Sequence, residues 1–76
     1  MTLKVYYEVP ILFSYTENGE VSDYTVWYEM DDPTEKQAVE HALRCARLDC
    51  GAGETASLHP EKRVKRVLGF FEGANE

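Results

Sequence analysis

From Leu3 to Met30 apolar and polar positions alternate on both sides of Asn18-Gly19. A two-residue Asn-Gly loop is a strong hairpin signal, because both residues accept the positive φ of a type I′ turn. With that loop closed, facing residues carry numbers that sum to 37. One face then pairs Tyr15 with Ser22, Phe13 with Tyr24, Ile11 with Val26, Val9 with Tyr28 and Tyr7 with Met30. The other face pairs Ser14 with Asp23, Leu12 with Thr25, Pro10 with Trp27, Glu8 with Glu29 and Tyr6 with Asp31. A one-residue slip would move every side chain to the wrong face. The pattern therefore predicts a long hairpin with strands over Leu3–Tyr15 and Val21–Met30. Pro10 lacks an amide donor and marks an edge or a bulge in the first strand.

The period then changes from two to that of a helix. Asp32, Pro33 and Glu35 predict its start, with Asp32 as N-cap, Pro33 in the first helical position and Glu35 completing a capping box. Ala38, Val39, Ala42, Leu43, Ala46 and Cys50 form its buried stripe. Lys36, Glu40, Arg44 and Arg47 form its solvated side, and Gly51 is expected to end it in a left-handed cap. An alanine stripe lets a helix lie close on an aromatic sheet.

Residues 51–61 read as a connection. The last segment is ambiguous, since Val64, Val67, Leu68 and Phe71 share a helical face. Gly69, two valines and Phe70-Phe71 suit a strand better. Three strands are also the usual minimum for a stable sheet. The expected fold is α+β, an antiparallel three-stranded sheet with one helix on one face (β-β-α-β), the last strand at about 64–71 beside the first. A second helix in its place (β-β-α-α) is the alternative.

Composition narrows the class. Seventy-six residues, 43% hydrophobic and 29% charged, describe a single small globular domain over 1–76 rather than a disordered tail. No apolar run is long enough to span a bilayer. No basic segment leads into an apolar core at the N-terminus, so a cytoplasmic protein is expected. A chain this short buries a marginal core, and open sheet edges add a reason to expect a homodimer. The net charge is −6. Residues 1–40 carry nine acidic side chains against Lys4 and Lys36, which disfavours nucleic acid at the hairpin and suits a basic protein partner.

Catalytic signatures are absent: Gly51-Ala52-Gly53 follows a helix rather than opening one, and no serine sits in a nucleophile elbow. His41, Cys45, Cys50 and His59 match no metal-binding spacing, and Cys50 reads better as a small packed residue beside a partly exposed His41. No cofactor and no metal are expected. Lys62, Arg63, Lys65 and Arg66 form a basic run that could touch phosphates, the alternative reading of a nucleic-acid accessory protein. The outer hairpin face is harder to regard as inert. Glu8 opposes Glu29, which costs stability, and Trp27 and Tyr6 share that face. Tyr6, Glu8, Trp27, Glu29 and Asp31 are therefore the expected partner-binding residues of a non-catalytic module. By size and charge alone, it fits the small acidic inhibitors encoded by phages or mobile elements, anti-CRISPR proteins and nucleic-acid mimics included, acting in the host cytoplasm.

Overall fold

A computed structural model describes the backbone of residues 2–71 and the side chains of residues 3–69. The hairpin consists of β1 (Thr2–Glu17) and β2 (Glu20–Met30). Asn18 and Gly19 take φ of 51° and 79°, the left-handed conformations that the turn requires. The pairing runs without slippage from Tyr7–Met30 to Glu17–Glu20, in the register read from the sequence. Tyr6 and Asp31 lie just beyond it.

The helix, α1, spans Glu35–Asp49. Its N-cap is Thr34, not Asp32. Gln37 N–H donates to Thr34 Oγ1 at 3.2 Å, and the Thr34 hydroxyl reaches Gln37 Oε1 at 3.2 Å. Thr34 thus caps the helix through its hydroxyl, with Gln37 held against it side chain to side chain, while the Asp32 carboxylate is engaged by His41 Nδ1 at 3.2 Å. The C-terminus also departs from the expected cap. Cys50 leaves the helix extended, at φ −64° and ψ 134°. The positive φ falls instead on Gly53, at 74°. Glu54 N–H donates to Gly51 O at 3.2 Å, closing a turn whose third residue is Gly53, as a type II geometry needs.

That turn launches a strand where a connection was expected: β3 (Glu54–Leu58). It is short and built of small and polar residues, and its pattern is too weak to stand out beside His59-Pro60. The last strand, β4 (Lys65–Phe71), lies beside β1 as anticipated. Among the described residues the sheet therefore has four strands rather than three, in the chain order β-β-α-β-β. All ladders are antiparallel and β1 is a partner in each.

The two short strands share one edge of β1. β3 pairs with Ile11–Tyr15 and β4 with Thr2–Glu8. Between them β1 has only Val9 and Pro10, whereas residues 59–64 join β3 to β4, so the register jumps. His59 N–H donates to Pro10 O at 2.9 Å, which shows that Pro10 turns its bonding side toward this edge. Its missing N–H thus falls where the partner strand leaves, and no ladder bond is lost. His59 also shapes the excursion, because Glu61 N–H and Lys62 N–H both donate to its Nδ1 at 3.0 Å.

The core lies between α1 and the sheet. Tyr7, Val9, Ile11, Phe13 and Met30 are buried, under Ala38, Ala42 and Ala46. Val39, Leu43, Cys45, Cys50, Ala56 and Val64 pack around them. Phe13 stacks on Tyr24 at 5.1 Å between ring centroids. The helix lies chiefly on β1 and β3, so Tyr24 and Val26, although on its side of the sheet, remain exposed. Hydroxyls make up part of the cover: Tyr24 donates to Glu54 at 2.6 Å and Tyr28 to Asp49 at 2.7 Å. The molecule measures 53 × 25 × 16 Å, with a radius of gyration of 15.1 Å. A compact chain of this length has about 11 Å. Length comes from β1, and thinness from having one layer of helix on one layer of sheet.

Three expectations follow. Replacing Ala42 by Leu should destabilise the fold by about 1–3 kcal/mol, since the added atoms must push the helix off β1; urea denaturation measures this, and an unchanged midpoint would contradict the close approach. His59→Ala should speed hydrogen exchange at the Glu61 and Lys62 amides, whereas His59→Asn should protect them, because an asparagine oxygen accepts from the amide two residues on. The third concerns acid stability. The hydrogen bond from Tyr24, then the Gly51 amide, hold the Glu54 carboxyl below its ordinary value of 4.5. A lowered carboxyl pKa stabilises the fold above 4.5, and that contribution is lost as pH falls through the folded value. Tyr24 itself is pushed up to about 12, chiefly by the same bond, so its contribution holds below 10 and is lost as pH rises through 12. Tyr24→Phe should therefore lower stability near neutral pH and flatten the loss on acidification, its urea midpoints converging on those of the native protein as pH falls below 4.5; parallel urea midpoints for the two proteins below pH 5 would exclude the coupling.

Candidate functional site

Strand alternation sorts the side chains of β1 into two sets. The odd ones face α1. The even ones, Lys4, Tyr6, Glu8, Pro10, Leu12 and Ser14, face away from it. β2 adds Asp23, Thr25, Trp27 and Glu29 to this outer face, and Asp31 follows them. No helix or strand among the described residues lies over it. The C-terminal tail, a cover the sequence could supply, falls outside the described residues.

The outer face is not uniformly exposed. Pro10 is fully buried although it points away from the helix. Trp27 opposes it from β2, while His59 donates to its carbonyl on the other side. Trp27 is half-buried. Lys65 Nζ sits 4.6 Å from the centre of its ring, a cation–π contact. Lys65 also lies directly across from Glu8, whose other neighbour is Glu29. The like-charge pair read from the hairpin is real in register. It has a lysine on its far side, which sequence reasoning had placed in a separate basic patch.

Tyr6, Glu29 and Asp31 come together with Lys4 and Met30 around an open cleft of about 140 Å³. Lys4 Nζ and the Asp31 carboxylate close one side of it as an ion pair at 2.6 Å. Small-molecule sites occupy about 300–1,000 Å³, so this cleft suits a single protruding side chain rather than a whole ligand. Of the expected partner-binding residues, Tyr6, Glu29 and Asp31 thus share one feature, and Glu8 and Trp27 lie beside it on the same face. Lys4 and Lys65 are the members that sequence reasoning missed. Lys4 could have been found from its even position two residues before Tyr6; Lys65 could not, because its place depends on the β1–β4 register.

The basic run does not form one surface. Lys62 and Arg63 are exposed in the excursion after β3. Lys65 turns to the outer face and Arg66 opposes Tyr7 on the other. Nor do the four His and Cys residues converge. His41 is engaged with Asp32, His59 with its own loop amides, and Cys45 and Cys50 pack half-buried against the core as free thiols. Burial, then the Glu54 and Asp49 carboxylates, push the Cys50 thiol up, away from a reactive thiolate. Among the described residues no three His, Cys, Asp or Glu side chains are grouped to hold a metal ion, and no helix is long and apolar enough to cross a membrane. No protein-family model matches the chain, and no curated protein and no solved structure matches it either.

Proposed function

We propose that this chain is a non-catalytic protein-binding module whose outer sheet face docks on a basic surface of its partner. The observation that carries the reading is the convergence of Tyr6, Glu29 and Asp31 on one cleft, with Glu8 and Trp27 beside it, on a face that no other element among the described residues covers. An aromatic anchor with charged neighbours is the composition of binding hot spots. Carboxylates around it set encounter with a basic partner more than they set affinity. The division of the basic run between two faces speaks against the nucleic-acid reading, since phosphate binding rewards contiguous cations. Occupying a partner's polyanion site is how small acidic inhibitors of phage or mobile-element origin work, and this chain fits that class in size and charge.

Trp27 is the only tryptophan, so its fluorescence reports on this face without a label. Titration with a lysine- and arginine-rich peptide should change the emission, with an affinity that falls as salt rises. Glu29→Lys is the cleanest variant. It relieves the repulsion with Glu8 and leaves the Lys65–Trp27 contact in place, whereas Glu8→Lys would set two lysines side by side. It should weaken the peptide by about tenfold, roughly 1.4 kcal/mol, without lowering thermal stability. Unchanged binding in Glu29→Lys would move the site elsewhere. Tight binding of duplex DNA or RNA, lost on replacing Lys62 and Arg63, would favour the nucleic-acid reading.

A further inference from the structure

β2 is an edge strand, and it is the longest open edge of the sheet. Among the described residues it pairs with β1 alone, over its whole length. The opposite edge of β1 is divided between two short strands, one of which begins with Lys65-Arg66. Natural edges are blunted by charged side chains, lysine above all, and by proline, bulges or shortness. Glu20–Met30 carries three acids, Glu20, Asp23 and Glu29, but it is 11 residues long, regular, and free of Lys, Arg and Pro.

The bonding side of each β2 residue follows from Pro10. Its carbonyl accepts from His59, so even residues of β1 bond toward β3 and β4, and odd residues bond toward β2. In an antiparallel ladder, bonded partners exchange both N–H and C=O. The even residues of β2 are therefore satisfied by β1. The N–H and C=O groups of Val21, Asp23, Thr25, Trp27 and Glu29 point outward to the open edge.

We propose that this edge pairs with the same edge of a second copy of the chain, antiparallel and two-fold symmetric, with Thr25 facing Thr25 of the partner subunit, so that two four-stranded sheets become one. The exposed Tyr24 and Val26, brought face to face by self-pairing, point to a second copy as the occupant, and the charges of β2 choose the register. Symmetry requires one residue to oppose itself. Centring on Asp23 opposes two aspartates, and centring on Val26 sets Asp23 against Glu29. Centring on Tyr24 leaves the end of the strand unpaired. Centring on Thr25 uses Glu20 through Met30 in full, opposes no two acids, and exchanges roughly ten main-chain bonds. It also places Tyr24 and Val26, which are 42% and 36% exposed, opposite one another across the interface on the helix side. On the outer face it sets Asp23 of the partner subunit beside Trp27, so the two outer faces run together. The pairing is a main-chain one and does not depend on the docking reading above.

Sedimentation of the full chain should show a dimer at micromolar concentration. Each copy carries a net charge of −6, so the dimer should tighten as salt screens the repulsion. Thr25→Pro removes only an outward N–H and should yield a folded monomer with unchanged circular dichroism. With Cys45 and Cys50 replaced by alanine, Thr25→Cys should form an intersubunit disulfide under mild oxidation. A bonded pair stands about 5.5 Å apart at Cα, within the range such a bridge spans. Tyr24→Cys and Val26→Cys should not cross-link. A native chain that stays monomeric over a hundredfold range of micromolar concentration overturns the proposal, as does a Thr25→Pro protein that remains dimeric. Cross-linking through position 24 or 26 in preference to 25 overturns the register. Should the cysteine variants fail to fold, sedimentation of the native and Thr25→Pro proteins still decides.

Discussion

Every ladder in this sheet has β1 as one of its two partners, and the rest of the structure depends on that strand satisfying both of its edges. One edge is straightforward, because the Asn18-Gly19 turn brings β2 back along it. The other must accept two strands that arrive from after the helix. Pro10 decides where they change over. A residue without an N–H in mid-strand would leave β3 or β4 short of a donor if either crossed it. Instead the chain leaves at His59, loops, and returns at Lys65.

That interruption has consequences on both faces. On the helix side it lets Val64 turn into the core beside residues that the alanine stripe of α1 covers closely. On the outer side it delivers Lys65 to the ring of Trp27 and to the far side of Glu8. The acidic aromatic face is thus partly neutralised from within the chain. What remains acidic is its β2 side around Glu29, where the cleft opens beside the Lys4–Asp31 ion pair. Single-layer covering by one helix also explains the elongated shape and the small core, for 16 residues of strand cannot be roofed by 15 residues of helix at less than half the rise per residue.

The elements with local signals could be read from the sequence alone: the turn, the alternation on each side of it, the whole β1–β2 register and the alanine stripe. Each is a statement about neighbours in the chain or about a period. The helix start was read two residues early, because Asp32-Pro33 and Thr34-x-x-Gln37 are both sound caps. The choice between them rests on His41 engaging Asp32. Gly51 was likewise a reasonable terminator, but the positive φ was needed at Gly53, where the turn into β3 is made.

Tertiary structure decided the rest. β3 has no pattern of its own strong enough to mark it; it is a strand because β1 offers it five residues of unsatisfied edge. The place of Lys65 follows from a register jump of the chain opposite Pro10, which no spacing within 51–71 specifies. For the same reason the candidate site was half legible. Tyr6, Glu8, Trp27, Glu29 and Asp31 share a face by hairpin arithmetic, whereas the lysines that tune it depend on long-range pairing or on an ion pair across the hairpin's open end. Sequence determined which side chains share a face, since alternation is a property of one strand. Only the folded sheet could determine what lies beside that face, since a strand's edge takes whichever partner can satisfy its hydrogen bonds.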